Sequence, residues 1–201
     1  YKNVNFVFNS HFTFKQSFAK MKLPIKINNI KSVIIHPMID DIYLHTKQSY
    51  KPRERSIVVF PRKHNSKGFK LINELKEKKI FEQLKIDKIY LIYNKSEHLK
   101  LFEDKVFTLI NPRNDSDIIN ILDKSMCCIS TSRSEGFGLP PLEAMSRGCI
   151  SILVNAGGTG SFAFHGYNSL LSKPNDILSL TSNLKLIFEH GNINKYLTLN
   201  G

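Results

Sequence analysis

The sequence predicts an α/β fold, a Rossmann-like parallel sheet with helices on both faces. Three observations carry this. From residue 56 onward, apolar runs of four to six residues alternate with segments of helical character. The runs are near-continuous in Val, Ile and Leu, as expected for strands buried on both faces. The segments between them suit the right-handed crossovers that join parallel strands, which would bring every strand's carboxyl end to one edge of the sheet, where ligands bind.

Taken in order, residues 4–8 read as a short strand, followed by a turn and a helix opened by a Ser or Thr cap and running to about residue 21. Residues 32–36 form a second strand, stopped by Pro37. The stretch 38–55 is polar and charged, contains Pro52, and reads as a linker. Strands follow at 56–60, 88–93, 106–110, 126–130 and 151–154, with a weaker one at 169–171. Helices are predicted at 69–79, 96–102, 117–124, 140–147 and 176–190.

Composition narrows the function classes. The chain has 201 residues, 41% of them hydrophobic, which excludes a disordered basic tail. That length gives room for one α/β domain and a remnant of another. The longest apolar runs are strand-length, far short of the about 18 residues a membrane-crossing helix needs. Lys and Arg outnumber Asp and Glu by 29 to 17, a net charge of +12. Nucleic acid, an anionic bilayer or a phosphorylated small molecule would all answer that charge. Cys127, Cys128 and Cys149 have no C-x-x-C spacing, so neither a disulfide framework nor a zinc site is suggested, and a reducing compartment is expected. No signal peptide is visible, and the opening at Tyr1 suggests a piece of a longer protein.

Two loops at the expected ligand-binding edge carry unusual chemistry. After the strand at 126–130 comes Thr131-Ser-Arg-Ser-Glu135-Gly-Phe-Gly-Leu-Pro-Pro-Leu-Glu143. Gly136 and Gly138 permit close backbone approach, and Pro140 or Pro141 suits a helix's first turn. Amides around Gly138 to Leu142 would then face a phosphate, assisted by the helix dipole. Glu143 would accept from ribose hydroxyls and Glu135 from a sugar hydroxyl. The competing reading is an ordinary turn with Glu143 complementing the dipole.

The other loop is Pro61-Arg-Lys-His-Asn-Ser-Lys67-Gly68, where Arg62 and Lys67 would neutralise a diphosphate, or form part of a solvated basic surface. Asp115-Ser-Asp117 spells D-x-D, yet it follows Pro112 and opens a helix, so capping is expected rather than metal binding. The glycines of 155–160 follow a strand and either turn about a ligand or form a plain loop. His165 has no partner at a metal-ligand spacing. Arg113 lies in a post-strand loop where a base would stack.

The string Ser132-Arg-Ser-Glu-Gly-Phe-Gly-Leu-Pro-Pro-Leu-Glu-Ala-Met-Ser-Arg-Gly148 closely resembles the signature of retaining GT-B glycosyltransferases, glycosyltransferase group 1. Arg62 and Lys67-Gly68 resemble that family's G-R-x-x-x-x-K-G loop, and Asn155-Ala-Gly-Gly158 its later G-G loop. The resemblance implies the carboxy-terminal, donor-binding half of a GT-B fold. Residues 1–43 would be the end of an amino-terminal domain and the hinge, 44–191 the donor domain, and 192–201 the start of a truncated final helix.

Carried over, the resemblance assigns catalytic roles to Arg62, Lys67 and Glu135. It places the donor on Arg62, Lys67, Arg113, Glu135, Gly136, Phe137, Gly138, Leu139 and Glu143. Glu143 would hold the ribose, Glu135 the transferred sugar, Arg62 with Lys67 the diphosphate, and the base would sit near Asn111 to Arg113. No cofactor or metal is implied, the nucleotide diphosphate sugar being substrate. The acceptor, a saccharide or lipid-linked molecule in surface polysaccharide or glycoconjugate synthesis, would be bound mainly by the missing amino-terminal domain, leaving this piece inactive alone. Pro61 stands where the family has Gly, Thr131 replaces a frequent Pro, and Ser161 a common Glu. A cytoplasmic location is expected, with the basic surface in peripheral contact with the membrane and no nucleic acid bound. A nucleotide-sugar epimerase of the same fold is the alternative enzyme. A basic nucleic-acid module is the non-catalytic one, though no interleaved aromatic and basic motif supports it.

Overall fold

The chain was analysed as a computed structural model that describes residues 4–20, 30–44, 52–61, 69–93 and 105–201. Arg62, Lys67 and the helix expected at 96–102 lie outside the described residues.

A small parallel sheet pairs β1 (Val4–Phe8) with β2 (Ile30–Ile34), and helix α1 (His11–Lys20) follows β1. The large sheet contains β3 (Glu54–Val59), β4 (Lys88–Ile92), β5 (Phe107–Ile110), β6 (Ser125–Ser130), β7 (Ile150–Val154) and β8 (Ser169–Ser172). All its pairings are parallel, in the order β5-β4-β3-β6-β7-β8. It is the α/β, Rossmann-like arrangement that the alternating runs predict.

Side-chain alternation divides the core into two faces. Ile57, Val59, Ile89, Leu91, Cys127 and Ile129 point to one face, covered by α2 (Phe69–Glu77), α3 (Ile80–Gln83), α6 (Ile177–Glu189) and α7 (Asn192–Asn200). Val58, Tyr90, Ile92 and Cys128 point to the other, covered by α4 (Asp115–Lys124) and α5 (Leu139–Ser146). Burial on both faces is why the strands carry no polar alternation, and each buried aliphatic side chain contributes about 1.5–3 kcal/mol. The three cysteines are free and buried; burial raises their thiol pKa values, that of Cys149 to about 12.

Three local features differ from expectation. The helix expected over 69–79 ends at Glu77, and after Lys79, in the left-handed region at φ 54°, comes a short helix α3 that was not expected. A helix of four residues is too short to give a periodic signal. Strand β3 begins at Glu54, which pairs with Ser125; a charged first residue escapes an apolar-run criterion. The stretch read as a linker holds a 3-10 turn, Asp41–Tyr43, whose Tyr43 is only 4% exposed and packs in the second face of the core.

Arginines fix the two helices behind the site. The Arg53 guanidinium donates to the carbonyls of Leu122, Ser125 and Arg147, collecting oxygens where α4 and α5 end. Arg147 in turn forms a two-pronged pair with Asp123 at 2.8 and 2.6 Å. Among the described residues no helix is long and apolar enough to cross a membrane.

Candidate functional site

The chain runs outward from β3 through β4 to β5, then returns to the opposite side of β3 as β6. The connections leaving β3 and β6 therefore diverge, opening a crevice beyond their carboxyl ends. A cavity of about 290 Å3 lies there, walled by Phe60 and Pro61 after β3 and by Thr131 and Ser132 after β6. The loop from Glu135 to Gly138 and the first residues of α5 form its next wall, and Asn9 and Pro37 reach it from the small sheet.

Gly138 is the residue before α5, with φ at 104°, where a side chain would be strained. Pro140 and Pro141 carry no N–H, so the outward donors at this helix start are narrowed from the span Gly138 to Leu142 to Gly138 and Leu139. Phe137, which also lines the cavity, is buried, its ring 5.3 Å from His36 and 5.4 Å from Phe162.

The loop is braced from behind by the second glycine loop. Glu135 N donates to Ala156 O and Gly158 N to Glu135 O, each at 3.0 Å. A Cβ on Gly158 would lie 2.1 Å from the Gly136 carbonyl oxygen, and one on Gly157, at φ 85°, would meet the Phe12 ring at 2.4 Å. Packing between two backbones and α1 thus accounts for these glycines. Buried Ser10 adds a further tie, donating through Oγ to Gly136 O at 2.5 Å.

Glu135 lines the cavity; Glu143 and Arg113 do not. Glu143 sits half-buried in the second turn of α5, and its carboxylate accepts no hydrogen bond from a described residue. Burial raises its pKa, and the nearby Asp115 carboxylate raises it further. Tyr43 completes the cluster, its hydroxyl donating to Asp115 Oδ1 at 3.0 Å and its carbonyl accepting from Ser146 Oγ at 3.0 Å. Burial, then the charge of Glu143, pushes the Tyr43 pKa up. Sequence reading missed Tyr43 because a lone tyrosine in a polar stretch gives no periodic signal.

The D-x-D carboxylates have internal partners. Asp115 accepts from Tyr43, and Asp117 Oδ2 accepts from Arg113 N at 2.9 Å. Asn114 caps α4, accepting from Asp117 N at 3.1 Å. The exposed Arg113 guanidinium lies 3.6 Å from Asp117. His165 accepts from Leu171 N through Nδ1 at 2.9 Å. Among the described residues, no group of three or more His, Cys, Asp or Glu could hold a metal ion.

The family model "Glycosyl transferases group 1" matches residues 91–201. The chain belongs to this family. Over 134 residues this group 1 member is 28% identical to the uncharacterized glycosyltransferase MJ1178 of Methanocaldococcus jannaschii, covering 67% of this chain and 34% of that protein. Over 70 residues it is 33% identical to human alpha-1,3/1,6-mannosyltransferase ALG2, covering 35% of this chain and 17% of that protein. It therefore spans about a third or less of these relatives' length. In fold it resembles S. aureus TarM, with a TM-score of 0.77 at 16% identity over 96% of this chain and 38% of that one.

Proposed function

We propose that this group 1 chain supplies the donor-binding half of a retaining glycosyltransferase, which moves a sugar from a nucleotide diphosphate sugar to a saccharide or lipid-linked acceptor. The observation that carries this is the cavity at the β3–β6 switch point, with its glycine loop, helix start and Glu135 wall. Support comes from S. aureus TarM and Anabaena HepE, of similar fold and each solved in complex with UDP. Departure of the diphosphate develops negative charge, which Arg62, Lys67 and the Gly138 and Leu139 amides would stabilise without a metal. The amino-terminal part of the parent protein would bind the acceptor.

The reading is tested by a thermal-shift screen of the chain against UDP, GDP, ADP and their sugars, because a ligand selective for the folded state raises the midpoint. At least one diphosphate is expected to raise it; flat responses to all of them would overturn the donor assignment.

Glu143 offers a separate check. Its raised pKa means that ionisation opposes folding. The cost is absent below the ordinary carboxyl value of about 4.3 and is fully present above the raised folded value. Glu143→Gln should therefore raise the thermal midpoint at pH 7, with the gain vanishing near pH 4. If the carboxylate accepts ribose hydroxyls, the same variant loses nucleoside diphosphate affinity by calorimetry. Unchanged affinity at pH 7 would remove the ribose role.

A further inference from the structure

The reading of the cavity as a nucleotide-sugar site underlies a further assignment, to Asn9. This residue follows β1, and its side chain reaches the cavity wall from the small sheet. Its amide is oriented. Thr13 Oγ1 lies 2.8 Å from Asn9 Oδ1 and 2.9 Å from Ser10 O, sharing its proton between them, while Ser10 Oγ accepts from Thr13 N at 3.1 Å. Behind the side chain, His36 Nδ1 stands 3.1 Å from Asn9 O. With Oδ1 turned to Thr13, Nδ2 hangs over the glycine loop, where a Cβ on Gly136 would come within 3.1 Å of it. Nδ2 donates to no described residue.

An oriented amide donor and Glu135 thus line the same cavity. A phosphate oxygen would accept from Asn9 but be repelled by Glu135. A sugar hydroxyl suits both, accepting from the amide and donating to the carboxylate. We propose that Asn9 is a sugar-binding residue, donating through Nδ2 to a hydroxyl of the sugar whose hydroxyls Glu135 accepts. The small sheet then takes part in holding the donor sugar, and the Ser10 tie to Gly136 keeps the two contacts in register.

The test compares calorimetric affinities of the chain, Asn9→Ala and Asn9→Asp for UDP, GDP, ADP, UDP-glucose, GDP-mannose and ADP-glucose. Asn9→Asp retains an acceptor for Thr13 and replaces the donor with a second carboxylate. For the nucleotide that the unaltered chain binds, both variants should keep diphosphate affinity. Affinity for its sugar conjugate should fall about three- to tenfold in Asn9→Ala, the effect of one neutral hydrogen bond, and at least as much in Asn9→Asp. Undiminished sugar-conjugate affinity in Asn9→Asp overturns the assignment. Equal losses for diphosphate and conjugate also overturn it, making Asn9 a phosphate contact. Failure of the unaltered chain to bind any of the six overturns the donor reading, and this role with it.

Discussion

Gly158→Ala is expected to destabilise the chain by about 3 kcal/mol, at the upper end of overpacking costs, and to abolish nucleotide binding. The added Cβ would stand 2.1 Å from the Gly136 carbonyl oxygen, 2.3 Å from its carbon and 2.5 Å from the Glu135 oxygen. These are backbone atoms, so no rotamer change relieves the overlap. Relief requires the two loops to part, breaking the bond from Gly158 N to Glu135 O and displacing Glu135 from the cavity. Gly160 is the control, since a Cβ there meets nothing within 4 Å. Urea unfolding of the two variants checks this. A Gly158→Ala midpoint matching that of Gly160→Ala would show that the loops are not tightly packed.

Lys67→Ala in the intact parent enzyme is expected to lower turnover by about 10²–10³-fold, the usual cost of removing one group that meets developing charge. Lys67 follows β3, which ends at Val59, and the first residues beyond that strand, Phe60 and Pro61, wall the cavity. The ammonium would meet a charge that is largest once the sugar–phosphate bond has stretched, so turnover should fall more than donor affinity. Steady-state kinetics with saturating donor separates the two. Full activity of Lys67→Ala would remove the residue from the mechanism, and a loss confined to KM would make it a uniform binding contact.

Much of the fold was legible because it depends on short-range regularity. Apolar runs such as 126–130 and 151–154 announce strands buried on both faces, and β6 and β7 lie within one residue of those bounds. The string from Glu135 to Glu143 was legible as a loop opening a helix because glycine permits backbone conformations other residues avoid and proline fixes φ, wherever they occur. Helix α3 was not, since the left-handed lysines on either side of it, Lys79 and Lys85, have no compositional mark. Tyr43 was also hidden, because its burial depends on a core face built from strands and helices far along the chain.

The sequence by itself determined the α/β class, the strand positions and the loop residues with the chemistry for a phosphorylated ligand, all properties of neighbouring residues. The tertiary structure alone decided how these loops meet. It turned the glycines at 157 and 158 into a brace for the 135–138 loop, joined Tyr43, Asp115 and Glu143 into one cluster, and brought Asn9 to the cavity across 126 residues of chain between Ser10 and Gly136. Such contacts follow from strand order and register, which bring distant backbones within hydrogen-bonding distance and leave no local trace in composition or periodicity.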